Sequence, residues 1–568
     1  MAGKSGRFAL IEQFIADGFE YMIGNPGTVE QGFLDALGDY PQLKYILTLQ
    51  ESIAVLIGDG YARGTQRPAL VQIHSSPGVG NAIGNLYQAK RGGTPLVVIA
   101  GESGIRYDAM DAQMAADLVA MARPVTKWAT RVVDPNSVLR VVRRAIKIAM
   151  TPPTGPVFVC LPADVLDAPN DEPVVPSSFL STRVAPEPDQ VTRVAKILAD
   201  AQHPIIIMGD GITVSGAQAE LTRVAELTGA DVWGANSSEV NIDTTHPLYR
   251  GQLGHMFGDH SRPITAAADV VLISGTYVFP EVFPSLGSVF NIGAQVIHID
   301  LDAYEIAKNF PVDIGLVSDP KLTLGRVADE LDKIMSSGQR DSARARGSRI
   351  GAATERERNA GLQADIASRD ATPMRAAPFI QELAKRLPPD AIIFDEALTT
   401  STELTRYLPP KTPGTFFQTR GGSLGVGIPG AIGLKLANPT KTVVGFTGDG
   451  GSMYTIQALW TAAHHRLGAK FVICNNHSYK LLKLNVQQYW RDLRLPERDF
   501  PGPFDIRDPD IGFVDLARGM GVPAVRVETL DQVGPAVQQM LADDGPFLVD
   551  LVISSDVPEH FVYHKSGQ

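Results

Sequence analysis

Residues 442–479 read TVVGFTGDGGSMYTIQALWTAAHHRLGAKFVICNNHSY, and the fold follows from this stretch. Val443 to Phe446 is a short apolar run of the kind buried in a parallel sheet. It ends in Gly448-Asp449-Gly450. Apolar residues then recur at helical spacing, at Ile456, Leu459, Trp460 and Ala463. A second apolar run, Phe471 to Cys474, ends in Asn475-Asn476. Two parallel strands therefore deliver an Asp and an Asn to one carboxyl edge of a sheet, where open α/β sheets bind ligands. The glycines let backbone approach an anion closely, and the following helix start favours negative charge. Asp and Asn supply hard oxygen ligands, which suit Mg²⁺ shared with a diphosphate. Taken singly, Gly-Asp-Gly is a common turn and Asn-Asn a common loop; their placement at two strand ends favours the ligand-binding reading.

At 568 residues the chain is too long for one domain, and about three or four are expected. Hydrophobic residues make up 44% and charged residues 20%, as in ordinary globular proteins. A formal net charge of −11 argues against non-specific nucleic-acid binding. The two cysteines, Cys160 and Cys474, lie in apolar runs and read as buried thiols of a reducing compartment. The first apolar run is broken by Glu12 and Asp17, so it reads as an amphipathic helix and not as a signal peptide. No stretch of about eighteen apolar residues is present, so no membrane span is expected. A cytoplasmic location is the expectation.

Up to about residue 180, short apolar strands alternate with helices, the pattern of a doubly wound parallel sheet. The strands are read at Tyr21 to Gly24, Lys44 to Leu47, Ala69 to Ile73, Leu96 to Ala100 and Val157 to Leu161. The first ends in Asn25-Pro26-Gly27-Thr28, and a helix starts near Glu51. His74 follows the third strand. Residues 170–190, rich in Pro, Ser and acidic side chains, read as a linker. A second α/β unit spans 190–340, with strands at Pro204 to Met208, Asp231 to Trp233, Val270 to Ser274 and Val296 to Ile299. Its Gly209-Asp210-Gly211 has no partner Asn-Asn and is read as a turn. Residues 335–375 are a charged connector with helical character. A third α/β unit runs from 376 to 555, starting with the strand Ile392 to Phe394, and residues 556–568 form a tail or lid. The expected fold class is α/β, with three doubly wound parallel-sheet domains.

Gly-Asp-Gly, a strand-helix-strand interval and Asn-Asn together resemble the thiamine diphosphate signature. The N-terminal region agrees independently. GNPGT (24–28), YILTLQESIAVLIGDGYAR (45–63) and IHSSPGVGNAIGNL (73–86) resemble the family of benzoylformate decarboxylase and its relatives. The resemblance implies a pyrimidine-binding domain over 1–180, a middle domain over 190–340, and a diphosphate-binding domain over 376–555. It implies that Asp449, Asn476 and the Ser478 carbonyl hold Mg²⁺. It also implies cofactor contacts at Asn25, Pro26, Gly27, Thr399, Gly422, Gly448, Gly450, Gly451 and Tyr479, with Leu424 bending the cofactor from below. Glu51 matches the family glutamate that lies against the cofactor's pyrimidine and drives removal of its reactive proton. His74 and Thr28 match side chains beside the substrate. In this family the Glu51 and Asp449 half-sites meet across two subunits, which implies a homodimer at least, and a homotetramer as the usual state.

One departure bears on the substrate. The family decarboxylase carries a second active-site histidine in a loop that aligns with Val278 to Pro284. That loop reads VFPEVFP here, with Glu281 its only ionisable group. After Asn476, Tyr489, Trp490 and Glu497 are candidate pocket residues, and Glu497 a candidate acid-base group. Three activities stay open: a 2-hydroxyacyl-CoA lyase, towards which the missing imidazole leans the reading; a benzoylformate-type 2-oxo acid decarboxylase or carboligase; and an acetolactate-synthase-like transferase.

Overall fold

The computed structural model describes residues 4–254, 256–279 and 281–557. Three six-stranded sheets follow one another along the chain, and every strand pairing within them is parallel. In the first, the spatial order is Lys44–Leu47, Tyr21–Gly24, Ala69–Ile73, Leu96–Glu102, Val157–Pro162, Trp128–Arg131. In the third it is Phe416–Gln418, Ile392–Glu396, Val443–Gly448, Lys470–Asn475, Phe547–Val552, Ala524–Val527. Central strands such as Ala69–Ile73 and Pro204–Met208 are buried at every position, as expected for strands covered on both faces.

The apolar runs named above are strands. Several further strands carry no such run. Trp128–Arg131 and Tyr249–Gln252 are edge strands, half-exposed and partly polar. Ile314–Val317 at the other edge of the middle sheet alternates buried and exposed. Phe547–Val552 is interrupted by Asp550, which is fully buried and accepts a hydrogen bond from Asn475 Nδ2 at 3.0 Å.

The first and third units share one core. Helix Glu51–Thr65 lies along helix Gly427–Ala437, and glycines bring the two backbones into contact. A Cβ on Gly60 would stand 2.3 Å from the Gly430 carbonyl, and one on Gly433 2.1 Å from that of Ile57. Ile53, Leu56 and Ile57 pack in one cluster with Ile428, Ile432 and Phe394. The middle unit keeps separate clusters. A 31-residue helix, Ser337–Ala367, spans from it towards the third unit. It is polar all round, as helices bridging between domains are. Arg346 donates to the Thr228 carbonyl at 2.6 Å near one end, and Asp365 pairs with Arg406 near the other. No helix among the described residues is long and apolar enough to cross a membrane. Cys160 and Cys474 are both buried free thiols.

Candidate active site

Parallel register explains why Asp449 and Asn476 meet. Thr447 pairs with Ile473 and Gly448 with Cys474, so both strands stop at one level. Asp449 is buried; its Oδ1 accepts from Gly450 N at 2.8 Å and its Oδ2 from Ser478 N at 3.2 Å. Burial raises its carboxyl above the ordinary range, against the pull of these N–H groups. Asn476 is buried as well, and its Oδ1 has no hydrogen-bond partner. The turn between them is fixed from outside. His477 is left-handed at φ 55°, Tyr479 N donates to the Phe504 carbonyl at 2.9 Å, and Ser478 Oγ to the same oxygen at 2.9 Å. The Ser478 carbonyl accepts from Lys480 N at 2.8 Å and keeps a second lone pair.

Whether these residues fit a divalent cation can be judged from the donors. An unpartnered buried acceptor costs about 1–3 kcal/mol. Asn476 Oδ1 carries that cost beside a carboxylate burial has made reluctant to ionise, and a hard cation relieves both. Around it, a Cβ on Gly448 would meet nothing within 4 Å, so the edge is open there. A Cβ on Gly450 would stand 2.4 Å from Cε1 of Tyr479, so only glycine leaves room for that ring. Oxygen donors, an open edge and an orphaned acceptor fit Mg²⁺ with a diphosphate.

Beside this edge runs the loop from Arg420 to Gly425. Gly421, Gly422 and Gly425 all have φ between 85° and 89°, a conformation that favours glycine. The buried carboxylate of Glu396 grips its end, accepting from Gly425 N and Gly427 N at 2.6 Å each and from Thr447 Oγ1 at 3.0 Å. Burial raises Glu396 despite these donors. Leu424 is half-buried. Thr399 follows Leu398, a non-glycine residue at φ 48°.

The N-terminal candidates collect at the carboxyl edge of the first sheet. Asn25 Nδ2 donates to the Thr48 carbonyl at 2.9 Å. Gly27 lies directly on His74, where a Cβ would stand 1.8 Å from Nδ1. Pro26 and Thr28 are exposed. His74 Nδ1 is 2.9 Å from Glu30 Oε2, and Glu30 Oε1 accepts from Gly101 N at 3.0 Å. Burial raises the Glu30 carboxyl; His74 and Gly101 oppose the rise. Glu51 opens its helix and is buried. Gln50 caps that helix, its side chain accepting from Ser52 N and Ile53 N. Glu51 Oε2 accepts from Asn81 Nδ2 at 3.0 Å, while Oε1 has no hydrogen bond among the described residues. Among those residues neither Glu51 nor His74 is hydrogen-bonded or ion-paired to the 396–479 segment.

Other candidates stand elsewhere. Glu497 is exposed in coil, outside both half-sites. Tyr489 is exposed, and Trp490 is buried, its ring stacked on Phe500 at 5.7 Å. Glu281 turns inward, accepts from Ser261 Oγ, and leaves Oε2 buried without a partner. The tail from 558 and His255 lie outside the described residues. Gly209-Asp210-Gly211 is a turn, as read, leading into helix Gly211–Ser215, but it has a further role: Asp210 is an acceptor in an ion-pair cluster with Arg420, Glu239 and Arg63 that joins all three units. Sequence reasoning also missed Glu30, Asn81 and Glu396. Glu30 lies two residues past Thr28, and Asn81 ends the Gly-rich run after His74, so both stood inside the informative stretches.

The whole chain has known relatives. Residues 4–121 match the thiamine pyrophosphate enzyme N-terminal TPP binding domain, 191–327 the central domain, and 399–551 the C-terminal TPP binding domain. A benzoylformate decarboxylase of Pseudomonas aeruginosa is 30% identical over 94% of this chain and 96% of its own length. A probable acetolactate synthase large subunit of Methanococcus aeolicus is 28% identical over 97% and 92%. Among solved structures, a thiamine diphosphate-dependent 4-hydroxybenzoylformate decarboxylase of Rhodococcus jostii superposes with a TM-score of 0.83 at 26% identity, covering 97% of this chain and 100% of that one. A benzoylformate decarboxylase of Polynucleobacter necessarius gives 0.84 at 25% identity, covering 98% and 99%.

Proposed function

Because the chain belongs to the thiamine pyrophosphate enzymes, we propose that it uses thiamine diphosphate and Mg²⁺ to break or make the bond beside the carbonyl of a 2-oxo acid, as a decarboxylase or carboligase. The orphaned Oδ1 of Asn476, beside Asp449, is the observation that carries this reading. Asp449, Asn476 and the Ser478 carbonyl hold the ion. Gly422, Gly448, Gly450, Gly451, Thr399, Tyr479 and Leu424 shape the rest of that end. When bound, the cofactor supplies a nucleophilic carbon and a sink for the electron pair of the cleaved bond.

The remaining work falls to side chains of this protein. Glu51 holds and releases a proton at Oε1, the oxygen that Asn81 leaves free. Glu30 fixes His74 through Nδ1, so Nε2 is the atom that takes or gives a proton on the substrate side. Thr28 offers a hydroxyl at the same edge.

The two half-sites complete each other across two copies of the chain. Leu49, two residues before Glu51, is 48% exposed, and Tyr454, five after Asp449, is 60% exposed. Both side chains are available to such an interface. A homodimer is the smallest active unit on this reading, and a homotetramer pairs two of them.

A 2-hydroxyacyl-CoA lyase is the second reading, favoured by the absence of an imidazole from the 278–284 loop. Against it, Glu497, its candidate acid-base group, is exposed. The test is to incubate enzyme, thiamine diphosphate and Mg²⁺ with benzoylformate or with a 2-hydroxyacyl-CoA. Carbon dioxide from the first supports the decarboxylase; formyl-CoA from the second moves the assignment to the lyase. Glu51→Ala is expected to lose at least about a hundredfold in turnover while binding cofactor, since general acid–base groups contribute about 10²–10⁴. Near-normal turnover would remove Glu51 from the chemistry.

A further inference from the structure

We propose that Arg420 and Asp210 are positioning residues: the middle domain helps set the conformation of the 421–425 loop through the Arg420 guanidinium, which Asp210 holds at 2.9 Å with Glu239 farther off at 3.8 Å. The proposal rests on the reading above that the loop touches the cofactor.

The loop has little shape of its own. Three of its five residues are glycines at positive φ, and glycine backbone is the freest in the chain. It is held at three points. Gly425 N docks on Glu396 of its own domain at 2.6 Å. Ser423 N donates to Gln88 Oε1 at 2.9 Å, and Ser423 Oγ to Asn85 Oδ1 at 3.0 Å, both on the first domain. Arg420 anchors the entry. Its Nη1 donates to Asp210 Oδ2 at 2.9 Å and its Nη2 to Thr94 Oγ1 at 3.1 Å. Its stem fills a slot over Gly92, where a Cβ would stand 3.0 Å from Cγ.

Asp210 is a prepared receptor for that guanidinium. Its Oδ1 accepts from Ser238 N at 2.8 Å, Glu239 N at 3.0 Å and Asn241 Nδ2 at 3.0 Å, and its Oδ2 from Ser238 Oγ. The carboxylate is thus oriented by its own domain before Arg420 reaches it. The segment carrying these donors is itself docked on the third domain and, through Arg63, on the first. Gln418 N donates to the Ser238 carbonyl at 2.6 Å, Glu239 bridges Phe417, and Arg63 Nε donates to Glu239 Oε1 at 3.0 Å. Movement of the middle domain is therefore transmitted to residue 420, one residue before the glycines.

An ion pair that only glued domains together would change unfolding and leave cofactor binding alone. The test measures both. Wild-type enzyme, Asp210→Asn, Arg420→Met, the double variant and Arg420→Lys are titrated with thiamine diphosphate at saturating Mg²⁺ by calorimetry. Near-ultraviolet circular dichroism of the bound cofactor reports its ring conformation. Each single variant is expected to weaken binding by at least about tenfold, the usual cost of losing a partner that orients a ligand-holding group. The double variant should lose no more than either single one, Arg420→Lys should recover part of the affinity, and the dichroic band should shrink in Asp210→Asn. Wild-type affinity with an unaltered band, or additive losses, would overturn the proposal. If Asp210→Asn does not fold, Arg420→Met decides, and wild-type affinity there overturns it. A wild-type enzyme that binds no thiamine diphosphate would instead overturn the proposed function.

Discussion

The tripeptide Gly-Asp-Gly closes one strand in the middle unit and another in the third, and the two loops do opposite things. Asp210 accepts from five donors, including the Arg420 guanidinium. Asp449 accepts from two backbone N–H groups, and Asn476, at the neighbouring strand end, keeps an amide oxygen with no partner. Burial alone would raise both carboxyls. Arg420, Ser238 and Arg63 outweigh it at Asp210, which titrates below the ordinary range; nothing comparable reaches Asp449, which stays raised. One loop is saturated by the protein, and the other keeps its valence for a ligand. A third copy, Gly58-Asp59-Gly60, lies inside a helix, where Asp59 accepts from Thr94 Oγ1.

The largest way to break the saturated side is Arg63→Ala. It leaves Asp59 buried without its ion-pair partner and Glu239 with only Arg420 at 3.8 Å, and removing one partner of a buried pair costs about 3–5 kcal/mol. The expected outcome is a large fall in the urea midpoint, with proteolysis starting near the middle domain. An unchanged midpoint would show that the cluster adds little. On the open side, Asp449→Ala should weaken cofactor and Mg²⁺ binding by about a hundredfold, or about 2.7 kcal/mol. Metal-free Asp449→Ala should unfold no earlier than wild type, because the lost carboxylate was buried and under-partnered. A clear loss of metal-free stability would place Asp449 in the same class as Asp210.

Gly27→Ala tests the half-site that faces the open loop. The added methyl collides with the His74 ring and must move it. A misplacement of about 1 Å costs up to about a hundredfold in turnover. Cofactor affinity should stay near wild type; intact turnover would exclude His74 from proton transfer. The smallest effect is in acid. The folded pKa of Asp210 is depressed, so its contribution is present above the unfolded value of about 3.9 and is lost as pH falls through the folded one. Wild type should therefore lose more stability than Asp210→Asn on acidification below about pH 4. Parallel acid-unfolding curves would contradict the ion pair.

Much of the scaffold was legible because it is local. Apolar runs such as PIIIM at 204–208 bury both faces, and only a covered parallel strand accommodates that. Of the edge strands only Lys44–Leu47 was legible; in the others, such as Trp128–Arg131 and Tyr249–Gln252, side chains facing water dilute the apolar signature. Phe547–Val552 was hidden by Asp550, a charge in mid-strand that is tolerated only because Asn475 and Arg526 reach it across the sheet. Within the site, Asp449 and Asn476 announced themselves by standing at two strand ends, whereas Glu51 and His74 were singled out by the family resemblance of the runs around them. Glu30 was not. Its role comes from lying 2.9 Å from His74, 44 residues further along the chain.

The amino-acid sequence by itself determined the strand runs, their order, and which ends carry oxygen ligands, since these depend on neighbouring residues. Only the tertiary structure decided what the other aspartate, Asp210, does with its carboxylate. A carboxylate's chemistry depends on the donors and charges within a few ångströms of it. For Asp210 the decisive one, Arg420, is 210 residues away along the chain and 2.9 Å away in space.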